Sequence, residues 1–396
     1  MSPWGTAPLE ELVSVVGGGT PTRSTSDYYG GSIPWVTPKD MKSWEIRGAQ
    51  VSITQTGLES SATRLIPAHS VLVVVRSGVL KHTLPVALTR LPVAINQDMK
   101  ALLCGDRMDA GFLARFISSQ SPTILKWVRA TTADNFPVDK LKRLGVPVPP
   151  LPEQRRIAEV LDRVEALRAK RRAALAQLDT LTQSIFLDMF GDPANNPKSW
   201  PQKPLGELIA DGPQNGLYKP AADYGSGTPI VRIDAFYDGA ITKLASLKRV
   251  RVSTEERALY ALHPGDILVN RVNSREFVGK SALVPMLAEP TVFESNMMRF
   301  AVDRAVVDPG FLIEYLQTRF VRTHIVKCTK DAVNQSSINQ QDVKSIPTVL
   351  PPRPLQERFV GRLAGVERLK SANTASLASL AALFASLQYR AFRGEL

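Results

Sequence analysis

Four stretches of the chain gather the side chains that nucleic acids are read with. "VVRSGVLKHTLPVA" places Arg76, Ser77, Lys81 and His82 in a loop that leaves an apolar run, and "ILKWVRATTADNFP" follows with Lys126, Arg129, Thr131, Thr132 and Asn135. Roughly two hundred residues later "VNRVNSREFVGKS" carries Asn270, Arg271, Asn273, Ser274, Arg275 and Lys280, and "VKCTKDAVNQSSIN" carries Lys327, Lys330, Asn334, Gln335 and Ser336. Arginine and lysine reach guanine edges and phosphates, asparagine and glutamine pair bidentately with adenine, and hydroxyls serve either. A solvated polar loop uses the same residue types. Their grouping at corresponding places in two halves of the chain favours contact with DNA.

The overall charge agrees. The 396 residues carry a net charge of +12, with a pI near 9.7, which favours a polyanionic partner because each neutralised phosphate releases counterions. Catalytic signatures are missing: there is no Walker A loop, no "HExxH" and no "GxSxG". The four histidines, His69, His82, His263 and His324, have no paired ligand spacing, so no metal site is expected. A nucleotide methyltransferase would need a cofactor-binding glycine loop and an Asn/Asp-Pro-Pro-aromatic motif, and neither occurs; "FGDP" at 190–193 falls in a linker. "VGGG" at 16–19 reads as a flexible turn or as a phosphate cradle built from backbone N–H groups. Two cysteines, Cys104 and Cys328, in a chain of this length suit a reducing, cytoplasmic setting. No apolar run approaches a membrane span, and the N-terminus has no signal-peptide pattern.

The elements that must position these residues are duplicated. "PLEELVSVVGGG" from Pro8 answers "PLGELIADGPQNG" from Pro204, "IPAHSVLVVVRS" answers "HPGDILVNRV", and "GFLARFISSQ" from Gly111 answers "GFLIEYLQTR" from Gly310. The common order of these weak matches is the strong signal. Each half is first rich in β-branched residues, Gly and Pro, with strand-like runs such as "SVLVVV" and "DILVN" and short helices between them. Each then reaches a long helix after proline-rich punctuation, "PPLPEQRRIAEVLD" from Pro149 and "PPRPLQERFVGRLA" from Pro351. Pro152 near the first helix start lacks only an N–H that would be unsatisfied there, and Glu153 suits the first turn.

Both helices carry an apolar stripe every seven residues. In the first it is Ile157, Val164, Leu178 and Ile185, with Leu161 and Leu175 between; in the second it is Phe359, Val366, Leu380 and Leu387, with Leu363, Leu377 and Phe384 between. Such a stripe predicts a coiled coil; packing of each helix on its own globular domain is the alternative. Arg171 and Asn373 interrupt the same heptad position near the two midpoints. In an antiparallel pair related by a pseudo-two-fold axis they would meet and help set register.

Two degenerate β-rich domains, each followed by "PPLPEQRR"-type punctuation and a long helix, resemble the specificity subunit of Type I restriction–modification systems. The most specific motifs are "VPVPPLPEQRRIAEVLD", the linker after "DMFGDP" and the C-terminal "LQYRAFRGEL"; the second punctuation departs, reading "PLQERF" where the first reads "PEQRRI". The resemblance implies an α+β chain: target-recognition domain 1 at 1–148, a central helical arm at 149–190, a linker at 191–203, target-recognition domain 2 at 204–350, and a second arm at 351–396. The two arms would pair as an antiparallel coiled coil with pseudo-two-fold symmetry, a ruler roughly 50 Å long that fixes an unread spacer. It also implies a non-catalytic subunit that binds double-stranded DNA and docks methylation and restriction subunits. Those partners would bring S-adenosylmethionine, ATP and Mg²⁺. Because the contact loops of the halves differ, the expected target is bipartite and asymmetric. The competing readings are a coiled-coil scaffold with β-domains for protein or carbohydrate, which the basic charge disfavours, and a self-sufficient DNA-modifying enzyme, which the missing motifs disfavour.

Overall fold

The computed structural model describes residues 4–129, 134–332 and 335–396. It divides into two compact units. One takes the chain up to Ala173 together with Thr374–Leu396, the other is Ala174–Asn373. Each unit therefore contains one β-rich domain and a part of each long helix.

In the first unit a five-stranded sheet runs in the order Val13–Gly17, Met99–Cys104, Val71–Val74, Val86–Thr89, Glu45–Ile46. In the second unit the corresponding strands are Ile209–Asn215, Met297–Val302, Ile267–Asn270, Ser281–Leu283 and Gly239–Ile241, in the same order, with Phe236–Tyr237 added at the edge. The duplication legible in the sequence is thus a duplication of strand topology. Both central strands are buried along their whole length, 71–74 and 267–270. That explains runs that do not alternate: a strand covered on both faces reads as continuously apolar. A short antiparallel pair closes each domain where it hands over to its arm, Thr6–Pro8 with Gly145–Pro147 and Gln202–Pro204 with Pro347–Val349.

The "VGGG" segment is not a loose turn but backbone held against a neighbouring strand. A side chain on Gly18 would put its Cβ 2.0 Å from the Ile95 carbonyl oxygen, and one on Gly19 would put it 2.7 Å from the Thr63 nitrogen. Glycine is needed so that this backbone can lie against the strand Val93–Ile95, where Gly19 N–H donates to Ile95 O at 3.0 Å. Gly216 makes the same close approach in the second domain, its Cβ position 2.2 Å from Glu294 O.

The long helices span Leu151–Phe190 and Arg353–Ala391. The second stops short of the C-terminus. Gly394 adopts the left-handed region (φ 75°), Glu395 N–H turns back to Arg390 O at 3.0 Å, and Phe392 packs its ring 5.4 Å from that of Phe112. Within each unit the two helix segments run antiparallel. In the first, Arg156 reaches Leu396 O at 3.4 Å while Arg168 lies 5.0 Å over the Phe384 ring. In the second, Asp179 pairs with Lys370 at 3.2 Å while Phe186 meets Phe359 at 5.7 Å. Rising numbers in one helix meet falling numbers in the other.

The heptad residues divide by depth. Ile157, Leu161, Val164, Phe359 and Val366 are buried. Leu175, Leu178, Ile185, Leu363, Leu377, Leu380 and Leu387 are only partly covered. The deepest helix side chains are those that also touch a β-rich domain, Ile157 and Leu161 in the first unit and Phe186, Phe190 and Phe359 in the second. Pairing and domain packing, set out above as alternatives, therefore coexist.

Candidate nucleic-acid interface

At the exit of its central strand each domain sets an arginine and then brings back a distant segment to pair with it. In the first unit Arg76 is bridged antiparallel to Asn135, which also bridges Arg129. Arg129 N–H donates to Asn135 O at 2.8 Å, and Ser77 N–H donates to Asp134 O at 2.9 Å. The two polar stretches of this half, far apart in the chain, thus form one surface. Arg76 Nε donates to the Asp98 carboxylate at 2.5 Å, and Lys81 Nζ lies 3.9 Å from that of Asp134. The two basic side chains are 48% and 65% exposed, so these ion pairs are weak and a phosphate would compete for either cation. Ser77 caps the turn Gly78–Lys81, and His82, Lys126 and Arg129 are exposed beside it. Thr131 and Thr132 lie outside the described residues.

The second unit repeats the device with different chemistry. Arg271 O accepts from Ile338 N–H at 2.9 Å. Val272–Asn273 then pairs with Gln335–Ser337, which pairs with Lys330–Ala332. Asn273, Lys330, Gln335 and Ser336 accordingly share one small sheet. Arg275 extends across it to Asp331 at 3.0 Å. Ser274 and Lys327 are exposed; Asn334 lies outside the described residues.

Three expected contacts do not lie on this surface. Asn270 is fully buried, and among the described residues neither of its amide atoms is hydrogen-bonded. Ser336 is 4% exposed and donates its hydroxyl to Asp331 at 2.6 Å. Lys280 is tucked against aromatic rings, its Nζ 3.9 Å from the Tyr237 centroid and donating to Ile233 O at 2.8 Å. Burial lowers its pKa. The physical reason is common to the strand residues: side chains alternate between faces, and residue type alone does not say which face is inward.

Two glutamines that residue-type reasoning passed over hold each domain to its arm. Gln154 Oε1 accepts from Asp109 N–H at 2.8 Å, and its Nε2 donates to Arg107 O at 2.9 Å and Pro149 O at 2.8 Å. Gln356 repeats this with Asp308 N–H at 2.8 Å, Val306 O at 3.3 Å and Pro351 O at 2.8 Å. Both are 0% exposed. Asp109 and Asp308 in turn cap the helices Ala110–Ser119 and Pro309–Leu316. The available signal was the glutamine kept at one place in both proline-punctuated stretches while its neighbours changed.

The next layer of this junction differs between units. Buried Arg115 donates twice to Asp162, at 2.5 and 2.8 Å, and lies 3.8 Å over the Trp44 ring. The second unit has Glu314 at the equivalent place, facing Lys370 and Glu367 from the long helix. Burial pushes its carboxyl up to about 7; Lys370 opposes the shift and Glu367 adds to it. Neither cysteine is disulfide-bonded, and burial raises the Cys104 thiol to about 12, so it is not a reactive thiolate. Among the described residues no group of three or more His, Cys, Asp or Glu is placed to hold a metal. No helix among them is long and apolar enough to cross a membrane.

Comparison with known proteins gives a consistent set of likenesses. Residues 1–177 match the family model described as the Type I restriction modification DNA specificity domain. The EcoR124I/EcoR124II specificity subunit of Escherichia coli is 37% identical over 162 residues, a match covering 40% of this chain and 40% of that relative. The MjaIX specificity subunit of Methanocaldococcus jannaschii is 24% identical over 392 residues, covering 90% of this chain and 85% of its own. Among solved structures, a chain of a type I R-M system complex superposes with a TM-score of 0.62 at 19% identity, covering 100% of both chains. The Type-I restriction-modification S subunit of M. genitalium superposes with a TM-score of 0.60 at 14% identity, covering 98% of this chain and 96% of that one. At these identities the structural likenesses establish the fold.

Proposed function

The chain belongs to the family of Type I restriction–modification specificity subunits, and from that premise we propose that each β-rich domain reads one half of a split duplex DNA sequence. The observation that carries this reading is the repeated strand exit. Arg76 and Arg271 leave equivalent strands in domains of the same topology, and each is joined by a distant polar segment. Around that shared frame the side chains have diverged, so the two half-sites differ and the target is asymmetric. The paired helices set the unread spacer between the half-sites.

We also propose that the helices dock methylation subunits, which supply S-adenosylmethionine and methylate adenine, and that a restriction subunit using ATP and Mg²⁺ joins them in the cytoplasm. Exposed apolar side chains at matching positions of the two helices support docking at two equivalent faces. Leu167, Leu181 and Leu187 in the first helix are 48%, 38% and 42% exposed, and Leu369, Leu383 and Tyr389 in the second are 55%, 47% and 60% exposed. Isolated exposed leucines are ordinary; the same three positions in both helices are not.

The test is to co-express the full chain with its methylation subunit and map methylated adenines across the genome. An asymmetric two-part motif with a fixed gap is expected. A single continuous motif, or a palindrome, would overturn the asymmetric reading.

A further inference from the structure

Beyond the residues singled out by type, the second unit contains a cleft of about 380 Å³ whose lining is unusual in composition: Asn215, Arg271, Asn339, Gln340, Gln341 and Lys344. Four amides, one guanidinium and one ammonium meet there, and among the described residues the lining has no carboxylate and no apolar side chain. We infer that this cleft is the base-reading surface of the second domain, with Asn215, Gln340, Gln341 and Arg271 addressing base edges and Lys344 a phosphate. The inference rests on the proposed DNA-recognition role and assigns it to particular side chains.

The elements hold these groups for different reasons. Asn215 ends the strand Ile209–Asn215, and Arg271 follows the strand Ile267–Asn270. The short helix Gln340–Lys344 supplies the remaining wall. Asn339 commits its Oδ1 to capping that helix, accepting from Gln341 N–H at 2.7 Å and Asp342 N–H at 3.1 Å. It thereby orients Gln340 and Gln341, both exposed. Among the described residues Arg271 Nε is buried and has no hydrogen-bond partner, and the bond from its Nη1 to Ser295 O is long at 3.4 Å. A half-buried guanidinium left so short of acceptors gains by meeting a ligand that offers them. By contrast Arg275, on the neighbouring small sheet, is already paired with Asp331.

The chemistry selects the ligand class. Amides pair bidentately with adenine and arginine with guanine in the major groove, while an ammonium acts on phosphate as a point charge. A cleft without acids suits a polyanion. The equivalent helix of the first domain, Val138–Lys142, follows Pro137 and has Asp139 in its first turn, with no amide there. The two domains therefore present different reading chemistry at the same place in the fold.

The test uses the full chain assembled with its methylation subunit. A Gln340→Ala/Gln341→Ala double variant, with both side chains on the surface, is expected to keep the wild-type melting temperature. It should lose roughly tenfold or more of its base discrimination, at positions confined to one half of the methylated motif. Lys344→Ala is expected to weaken binding to all sequences alike and to reduce the slope of log affinity against log salt by about one. A folded double variant with unchanged discrimination overturns the assignment, and so does discrimination lost equally in both half-sites. A wild-type assembly that directs methylation to no two-part motif overturns the recognition role itself and the cleft with it.

Discussion

Glu314 is the residue at which burial and charge conflict most plainly. Its carboxyl is held near 7, well above its ordinary 4.5, by desolvation against the long helix of its unit, where Lys370 lowers the value and Glu367 raises it. Lys370 is also engaged by Asp179 at 3.2 Å. Between about pH 4.5 and 7 the folded protein keeps a proton that the unfolded chain has released. This contribution to stability is full below that interval and falls as pH rises through it. Glu314→Gln should remove the dependence, raising stability at pH 8 by on the order of 2 kcal/mol while changing it little at pH 4. Urea unfolding of both proteins at the two pH values checks this; equal shifts at both would refute it. At the same scale, the buried thiol of Cys104 and the aromatic surroundings of Lys280 show how a reactive or basic residue type can be consumed by packing.

At the scale of elements, the proline-punctuated stretches are anchors as well as helix starts. Each places a buried glutamine where it satisfies one backbone N–H and two carbonyls of the domain it leaves. Gln154→Ala or Gln356→Ala would leave those groups unsatisfied in the interior, at a cost of roughly 2–4 kcal/mol each. Urea unfolding should report a loss of that size for either variant, and a change below about 0.5 kcal/mol would show that the groups find other partners. Aromatic rings complete each anchor. Phe112 is met by Phe392 at 5.4 Å in the first unit, and Phe311 by Phe190 at 4.9 Å in the second. Each domain is thus gripped by the start of one long helix and the end of the other.

At the scale of the whole molecule, the helix midpoints carry the test of register. Arg171 and Asn373 interrupt the same heptad position, and an antiparallel arrangement across the full length would bring them together. Cysteines at both places, Arg171→Cys with Asn373→Cys, should then form a disulfide on mild oxidation, visible as a faster-migrating band on a non-reducing gel. A pair that fails to close while remaining folded would rule that register out, since a disulfide needs Cα atoms within about 7 Å. The native Cys104 thiol, held protonated by burial, is poorly placed to compete.

The sequence by itself determined the duplication, the strand-rich and helical parts of each half, the helix starts and the exit arginines. All of these depend on local pattern: apolar runs, proline punctuation and a seven-residue stripe. It did not reveal the second helix's stop at Ala391, the close backbone approach that makes "VGGG" glycine-rich, or the inward turn of Asn270, Ser336 and Lys280. Nor did it single out the cleft around Gln340 and Gln341, whose walls come from three distant parts of the chain. Those features arise from contacts between segments far apart in sequence, and no residue's type or spacing encodes which face it will turn toward a neighbour it has yet to meet. Tertiary packing alone decided which polar side chains were spent within the fold and which remained free for a partner.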